Sequence, residues 1–187
     1  RSPLVRSSAA SDVYKRQVFR DIAERLRNEA RLYHLAHIDP LTQLPNRSLL
    51  RARLEDALLD ESRVSIMMID LDGFKDVNDT LGHPAGDAVL CAAAKRIQSC
   101  VRTSDTVARM GGDEFAVLLR RLPDPARAGA IADAIIDKMG QIIMIDDEPV
   151  HISASVGIAM FPKDGATAQE LLSGADLALY DAKSQGK

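Results

Sequence analysis

The chain has 187 residues, 46% hydrophobic and 27% charged, with 24 basic and 27 acidic side chains. This length suits about one domain, which can bury a core without a disulfide or metal staple. The net charge of −3 argues against a general nucleic-acid binder, and the longest apolar run, residues 88–94, is far shorter than the roughly 20 residues that span a membrane. We therefore expect no nucleic-acid partner and no membrane contact. The net charge does not exclude a small anionic ligand bound in one local basic pocket.

The N-terminal residues lie outside the predicted core. Residues 1–17 are rich in serine and arginine and follow neither a helical nor a strand period, so we predict a disordered or non-native tail. For residues 18–38 we predict a helix or linker. Its apolar positions keep a spacing of four and three: Ile22, Leu26, Tyr33 and Ala36. Glu29 interrupts this stripe, so a short coiled-coil stalk and an amphipathic helix lying on its own domain are both open.

The remaining residues, 39–187, alternate between helical and strand patterns. In chain order we predict a helix at 45–59, a strand at 64–69, helices at 73–81 and 86–102, strands at 106–110 and 115–120, a helix at 125–141, strands at 142–145 and 151–161, and a helix at 167–184. Gly82 should end the second of these helices, and Gly111-Gly112 should form a hairpin turn. The last two strands should pair across a turn at 146–149. This order predicts an α+β domain in which helices pack around one mixed, mostly antiparallel central sheet.

Two carboxylates follow the first predicted strand. Asp70 and Asp72 point to the same side if the strand continues through them. Carboxylates in this arrangement can hold Mg²⁺, which takes oxygen ligands and keeps waters or substrate phosphates as the remainder. Asp72 could instead cap the helix that follows. For an isolated Asp-x-Asp, that structural interpretation is the better one.

A second acidic pair, Asp113 and Glu114, follows the Gly111-Gly112 turn. A turn without side chains lets a ligand approach the backbone closely. Asp113 begins the returning strand and could meet Asp70 across the sheet. Two converging acidic strand ends are used for metal-assisted phosphoryl transfer. A hairpin tip alone would explain the second pair, so only the two pairs together favour a nucleotide site.

Cations and hydrogen-bonding side chains for a nucleotide are also available. Lys75 follows the first acidic pair, Lys183 lies in the last predicted helix, and Lys187 lies about one turn beyond it. Asn78 and Asp87 carry the donors and acceptors that suit a purine edge. The sequence has no Gly-x-x-x-x-Gly-Lys-Ser/Thr loop, which excludes a P-loop NTPase, and no HExxH or Cys-x-x-Cys pattern that would indicate zinc.

Six segments resemble the motifs of a known family and occur along the chain in the same order as in that family. Residues 111–115 read GGDEF, 39–47 read DPLTQLPNR, 70–83 read DLDGFKDVNDTLGH, 86–87 read GD, 155–158 read SVGI and 179–183 read LYDAK. Over 39–187 the chain resembles the GGDEF domains, the diguanylate cyclases, which implies a fold like that of nucleotide cyclases and polymerase palms. The LPNR spelling at 44–47 is also similar to GGDEF domains that precede an EAL phosphodiesterase domain, which suggests a tandem protein.

The resemblance implies a reaction and a set of roles. The reaction is the condensation of two GTP into cyclic di-GMP by two domains of a homodimer that meet face to face. The implied metal is Mg²⁺ (or Mn²⁺), held by Asp70, Asp113 and the Leu71 carbonyl, with catalytic roles for Glu114, Asp113 and Lys75. GTP contacts are implied for a further set: Asn78, Asp87, Gly111, Gly112, Lys183 and Lys187.

Arg102 and Asp105 resemble the family's RxxD inhibitory site, which implies inhibition by the product. An ordinary exposed pair at a helix end is the alternative interpretation. Lys187 stands where the family usually has arginine, and a lysine is a point charge rather than a planar fork. The alternative function is a catalytically silent regulatory module that binds GTP or cyclic di-GMP, as in some tandem proteins of the family. The resemblance further implies a cytoplasmic protein with an upstream sensor domain and, in a tandem, a downstream EAL domain.

Overall fold

The computed structural model describes residues 20, 22–29, 31–59, 63–122, 124 and 126–184. Contacts divide the chain into two compact units, Arg1–Ala36 and His37–Lys187. Residues 22–29 and 31–37 are helical, and the predicted stripe is exposed there: Ile22, Leu26 and Tyr33 each leave at least half of their surface accessible. The predicted tail at 1–17 lies outside the described residues. Within the described part of the chain, no helix has the length and hydrophobicity needed to cross a membrane.

The second unit contains five helices and six strands among its described residues. The helices are α1 (Arg47–Leu59), α2 (Phe74–Leu81), α3 (His83–Gln98), α4 (Ala126–Met139) and α5 (Ala168–Ser184). The strands are β1 (Ser65–Asp72), β2 (Thr106–Gly111), β3 (Glu114–Leu119), β4 (Ile143–Ile145), β5 (Glu148–Val150) and β6 (Ser153–Met160). The predicted α+β class is confirmed.

A four-stranded sheet in the order β2-β3-β1-β6 forms the centre of this unit. The three strand pairings are antiparallel, and an isolated bridge between Asn46 and Arg109 is parallel. β1 lies inside the sheet and is covered on both faces, which is why its sequence is an almost continuous apolar run.

Helices cover both faces of the sheet. On one face, which we call the α3 face, Met67 and Ile69 of β1 pack with apolar residues of α2, α3 and α4. On the other, the α5 face, Ile66 and Met68 pack with apolar residues of α1 and α5. Because successive side chains of a strand alternate between faces, every even-numbered residue of β1 lies on the α5 face.

The last strands differ from the prediction of one hairpin in one sheet. β4 pairs with β5 as a separate two-stranded sheet, and β6 pairs with β1 in the main sheet. The turn contains only Asp146 and Asp147, which both have positive φ. The predicted turn at 146–149 was therefore too long, because Val150 pairs with Ile143 and both side chains are buried in the core.

The junction of α2 and α3 is shorter than predicted. Gly82 ends α2 as expected, but α3 begins at His83 rather than at Gly86 and ends at Gln98 rather than Arg102. Gly82 has φ 84°, a backbone conformation that glycine adopts without strain. Pro84 lies in the first turn of α3, where its missing N–H has no helical partner to lose. A single residue therefore separates the two helices.

Candidate active site

The end of β1 and the start of β3 bring two carboxylates together. Asp70 is the cross-strand partner of Glu114, and both side chains lie on the α5 face. Asp113 lies one residue earlier, in the turn, where its carbonyl accepts a hydrogen bond from the Leu71 N–H at 3.3 Å. The residue directly opposite Asp70 is thus Glu114, while Asp113 lies beside Leu71.

A lysine from the last helix forms an ion pair with Asp70. Lys183 Nζ is 2.6 Å from Asp70 Oδ1, and the Asp70 side chain is only 15% exposed. We call Asp70, Glu114 and Lys183 the charged cluster. Like charges on paired strand positions repel each other, and the Lys183 ammonium offsets this repulsion by pairing with Asp70. Lys187 lies outside the described residues.

Helix α5 reaches the charged cluster because it packs very closely on β6. Gly157 of β6 is buried, and a Cβ on it would overlap the Ala175 carbonyl and the Leu179 amide nitrogen and lie 2.7 Å from the Leu179 Cα. Only a residue without a side chain permits this approach. Gly157 belongs to the SVGI segment, but sequence reasoning assigned it no part in placing Lys183.

The turn before Glu114 requires glycine for its backbone conformation. Gly111 has φ 143° and Gly112 has φ 52°, values that side chains disfavour. A Cβ at either position would meet no atom within 4 Å. The turn therefore presents an uncrowded backbone surface beside the carboxylates.

Sequence reasoning missed the residue that anchors this turn. Arg109 donates hydrogen bonds to the Gly112 carbonyl from Nε at 3.0 Å and from Nη2 at 2.7 Å. Its Nη1 lies 3.2 Å from each carboxylate oxygen of Asp39, and the two side chains are 13% and 16% exposed. Burial favours a raised pKa for Asp39, but hydrogen bonds from Thr42 and the nearby Arg109 guanidinium hold that pKa below its ordinary value. The only feature of the sequence that could have indicated this anchor is that Asp39, the partner of Arg109, belongs to the DPLTQLPNR segment.

Asp72 has a structural partner on the neighbouring strand. Its carboxylate accepts hydrogen bonds from Ser155 Oγ at 2.8 Å and Ser153 Oγ at 3.3 Å, and the residue is 9% exposed. Gly73 occupies the N-cap position of α2, and no side chain caps that helix. The alternative that Asp72 caps α2 is therefore wrong.

The donors at this strand end suit a hard cation. Asp70, Asp113 and the Leu71 carbonyl offer only oxygen atoms, and Mg²⁺ is commonly held by one or two carboxylates, with waters and phosphates completing its shell. Within the described ranges, no three His, Cys, Asp or Glu side chains are grouped closely enough to hold a metal. An ion here would therefore take its remaining ligands from the backbone, water or substrate.

The predicted base-reading residues lie on two consecutive helices. Asn78 of α2 is half-buried and Asp87 of α3 is exposed, and we call this pair the base corner. The junction between the helices is held by the Gly82 N–H, which donates to the Asn78 carbonyl at 3.0 Å. Lys75 is exposed in the first turn of α2, directly after the end of β1. Lys75 and the base corner therefore lie on the two helices that directly follow β1 in the chain, with one residue between successive elements.

The predicted inhibitory pair lies in the loop between α3 and β2. The Asp105 carboxylate accepts hydrogen bonds from the backbone N–H groups of Arg102 at 3.0 Å and Arg120 at 3.3 Å. Arg102 is exposed and lines an open surface crevice together with Asp105 and Val107. Asp105 thus stabilises the loop that presents Arg102.

Comparison with known proteins identifies relatives. Residues 36–187 match the family model described as Diguanylate cyclase, GGDEF domain. MucR of Pseudomonas aeruginosa, a bifunctional diguanylate cyclase/cyclic di-GMP phosphodiesterase, is 48% identical over 160 residues, which are 83% of this chain and 23% of MucR. The diguanylate cyclase TpbB of the same species is 48% identical over 169 residues, 87% of this chain and 39% of TpbB. The chain thus spans at most 39% of the length of these two relatives.

Two solved structures share the fold. The GGDEF domain of TpbB matches with a TM-score of 0.79 at 47% identity, over 81% of this chain and 91% of that one. The GGDEF domain of DgcB from Caulobacter crescentus, solved with cyclic di-GMP, matches with a TM-score of 0.75 at 28% identity, over 81% and 92% of the two chains. The bifunctional MucR fits the predicted tandem arrangement. The resemblance is confirmed, and the chain belongs to the diguanylate cyclase GGDEF domain family.

Proposed function

We propose that this domain condenses two GTP molecules into cyclic di-GMP, with Mg²⁺ (or Mn²⁺) held by Asp70, Asp113 and the Leu71 carbonyl. The observation that carries the proposal is the charged cluster, in which β1 and β3 pair Asp70 with Glu114 and α5 brings Lys183 to Asp70. A metal–triphosphate complex needs this combination, because the carboxylates attract the cation while the ammonium attracts the phosphate oxygens.

The reaction forms one bond and breaks one bond at each phosphorus. The 3′-oxygen of each GTP loses its proton and bonds to the α-phosphorus of the other GTP, while pyrophosphate leaves. Little covalent chemistry falls to the protein, so catalysis depends on positioning and on stabilising charge. Bound Mg²⁺ would neutralise charge on the phosphates. Glu114 is exposed opposite Asp70, and in this proposal it would take the 3′-hydroxyl proton or hold a second metal.

Other residues of the domain supply the substrate contacts. Lys75 and Lys183 would bind the triphosphate, and the uncrowded turn at Gly111 and Gly112 leaves room for it. The base corner would bind guanine, since a carboxylate accepts hydrogen bonds from its N–H groups and a carboxamide both donates and accepts.

One domain holds one GTP, so the proposal requires two copies of this chain. The exposed apolar stripe on the helical residues 22–29 and 31–37 supports a dimer contact upstream of the domain, with Ile22, Leu26 and Tyr33 each at least half accessible. Such a contact would bring two domains together and could transmit a signal from an upstream sensor. A GTP-consuming domain is expected in the cytoplasm, and the tandem interpretation adds an EAL domain downstream.

The test is incubation of the chain with GTP and Mg²⁺, followed by chromatography of the products. We expect cyclic di-GMP and pyrophosphate. Asp113→Ala should abolish the product with little loss of stability, because Asp113 lies in a turn outside the core. The matched control is Asp137→Ala on the exposed surface of α4, which should retain turnover. A parent chain that binds GTP without converting it would favour the regulatory-module alternative.

The proposal includes inhibition by the product at Arg102. An arginine can donate two hydrogen bonds to a guanine edge, so Arg102→Ala should weaken binding of cyclic di-GMP at least about tenfold, or about 1.4 kcal/mol. Initial velocity should be unchanged. Asp105 is a poorer test, because its carboxylate also holds the loop. Progress curves with added cyclic di-GMP measure the effect, and equal slowing of variant and parent would assign Arg102 to the solvated surface.

A further inference from the structure

Gly86, the fourth residue of α3, lies against the side chain of Asn78 across the α2–α3 junction. A Cβ on Gly86 would overlap Asn78 Oδ1 and lie 3.0 Å from Asn78 Cγ and 3.3 Å from Phe74 Cζ. Gly86 is buried and Asn78 is half-buried. The carboxamide of Asn78 therefore occupies the space that any side chain at position 86 would need.

The backbone conformation does not require glycine at this position. Gly86 lies within a helix and lacks the positive φ that makes glycine necessary at Gly82. Glycine is a poorer helix former than alanine, so its presence in a helix needs a reason. The space taken by Asn78 is therefore the physical reason for glycine here.

We infer that Gly86 is a positioning residue that determines the preference for guanine, because it keeps the Asn78 carboxamide in place beside α3. This inference rests on the proposed function, in which Asn78 and Asp87 contact the base. Asp87 follows Gly86 directly in the chain, so the carboxamide lies against the residue next to the second base contact. The atom that a Cβ would displace is the end of a flexible side chain, which can rotate away at low cost. A side chain at position 86 would thus remove the base contact and leave the fold intact.

A purely structural role for Gly86 makes a different prediction. If Gly86 served only to let α2 and α3 pack closely, a methyl group there would lower the stability of the domain and affect the binding of all nucleotides alike. The contact at 3.3 Å from Phe74 Cζ is the part of the environment that would produce such an effect. Stability and base preference therefore have to be measured together.

The experiment measures binding to the full chain with Mg²⁺. The probes are an unreactive GTP analogue with a methylene group between the α- and β-phosphates, and its adenine counterpart. We expect the parent to prefer guanine and Gly86→Ala to bind the guanine analogue at least about tenfold more weakly, with little change for adenine. The midpoint of thermal unfolding should stay level or rise. Gly129→Ala on α4, where a Cβ meets open space, is the matched control and should not change binding.

A double variant tests whether Gly86 acts through Asn78. In the Asn78→Ala background, Gly86→Ala should weaken guanine binding no further, because the carboxamide is already absent. Additive losses, or a Gly86→Ala variant that binds like the parent, would overturn the inference. Should Gly86→Ala be unstable, the double variant recovers stability if the Asn78 overlap is the cause, and failure to recover would also overturn it.

The experiment separates this inference from the proposed function. A parent chain that binds both analogues equally would contradict the guanine contacts of the base corner, and the proposed function and the inference would fall together. A parent that prefers guanine, combined with an unaffected Gly86→Ala variant, would overturn only the role of Gly86.

Discussion

The base corner and the charged cluster are built in different ways. The base corner comes from two helices joined by the single residue Gly82, so its geometry is set by a short stretch of chain. The charged cluster comes from β1, β3 and α5, and its members meet only because the strands pair in one register and the helix packs on β6. One part of the candidate site is therefore local, and the other depends on the whole domain.

This difference indicates where each part is vulnerable. A slip of one residue between β1 and β3 would move Glu114 away from Asp70 and turn its side chain to the α3 face. The same slip would leave the α2–α3 junction unchanged. We therefore expect substitutions to separate nucleotide recognition from turnover.

The largest expected effect is on turnover, from Glu114→Gln. This change keeps the shape of the side chain and removes its charge, so it alters the charged cluster and leaves the base corner intact. Loss of a catalytic proton acceptor should lower the initial rate about 100-fold or more, while the unreactive GTP analogue still binds. Initial rates and equilibrium binding measure the two effects. Loss of binding would make Glu114 a ligand-holding residue, and an unchanged rate would remove it from catalysis.

A smaller effect, on stability as well as turnover, is expected from Gly157→Ala. The new Cβ would overlap backbone atoms of α5, so the helix must shift and carry Lys183 away from Asp70. Overpacking of this kind costs about 1–3 kcal/mol. The free energy of unfolding in urea and the initial rate should both be lower than in the parent. Gly129→Ala is the control, because a Cβ at that position meets open space. An unchanged free energy of unfolding would show that α5 accommodates the new Cβ without destabilising the domain.

The base corner should show the opposite pattern in Asp87→Ala. Asp87 is exposed, so the midpoint of thermal unfolding should not change. Loss of its carboxylate should weaken binding of the guanine analogue by about 1 kcal/mol, because guanine N–H groups lose their acceptor. Calorimetric titration with the guanine and adenine analogues measures this. Equal binding by variant and parent would remove Asp87 from the base corner.

The smallest effect concerns the anchor of the turn and depends on pH. Burial disfavours ionised Asp39, but hydrogen bonds from Thr42 and the charge of Arg109 outweigh it and lower its pKa. The contribution of ionised Asp39 to the free energy of unfolding is therefore complete above its ordinary pKa of about 4. That contribution is lost as the pH falls through the lower pKa of the folded state. Asp39→Asn should be less stable than the parent at neutral pH, and the difference should shrink below about pH 4. Urea unfolding over this range measures it, and a constant difference would indicate a role in packing rather than charge.

Much of the fold could be predicted because its signals are local. Apolar periodicity located the helices and strands, and Gly82 and Gly111-Gly112 marked a helix end and a hairpin. The prediction was wrong at residues 146–149, where a polar run with a proline suggested only a turn. Pro149 lies on the short strand β5, which has no strand partner other than β4 among the described residues, and a proline can lie on such an edge because no ladder N–H is needed.

The family could be identified from six ordered motifs in the sequence, and the same motifs contain the carboxylates, Lys75, Lys183 and the residues proposed to contact the base. Three further relations are visible only in the folded domain: Glu114 lies opposite Asp70, Lys183 forms an ion pair with Asp70, and Arg109 holds the turn. These relations depend on strand register and on helix packing between segments far apart in the chain. Such long-range contacts have no local sequence signal, since the residues that permit them, such as Gly157, differ from ordinary glycines only in what packs against them.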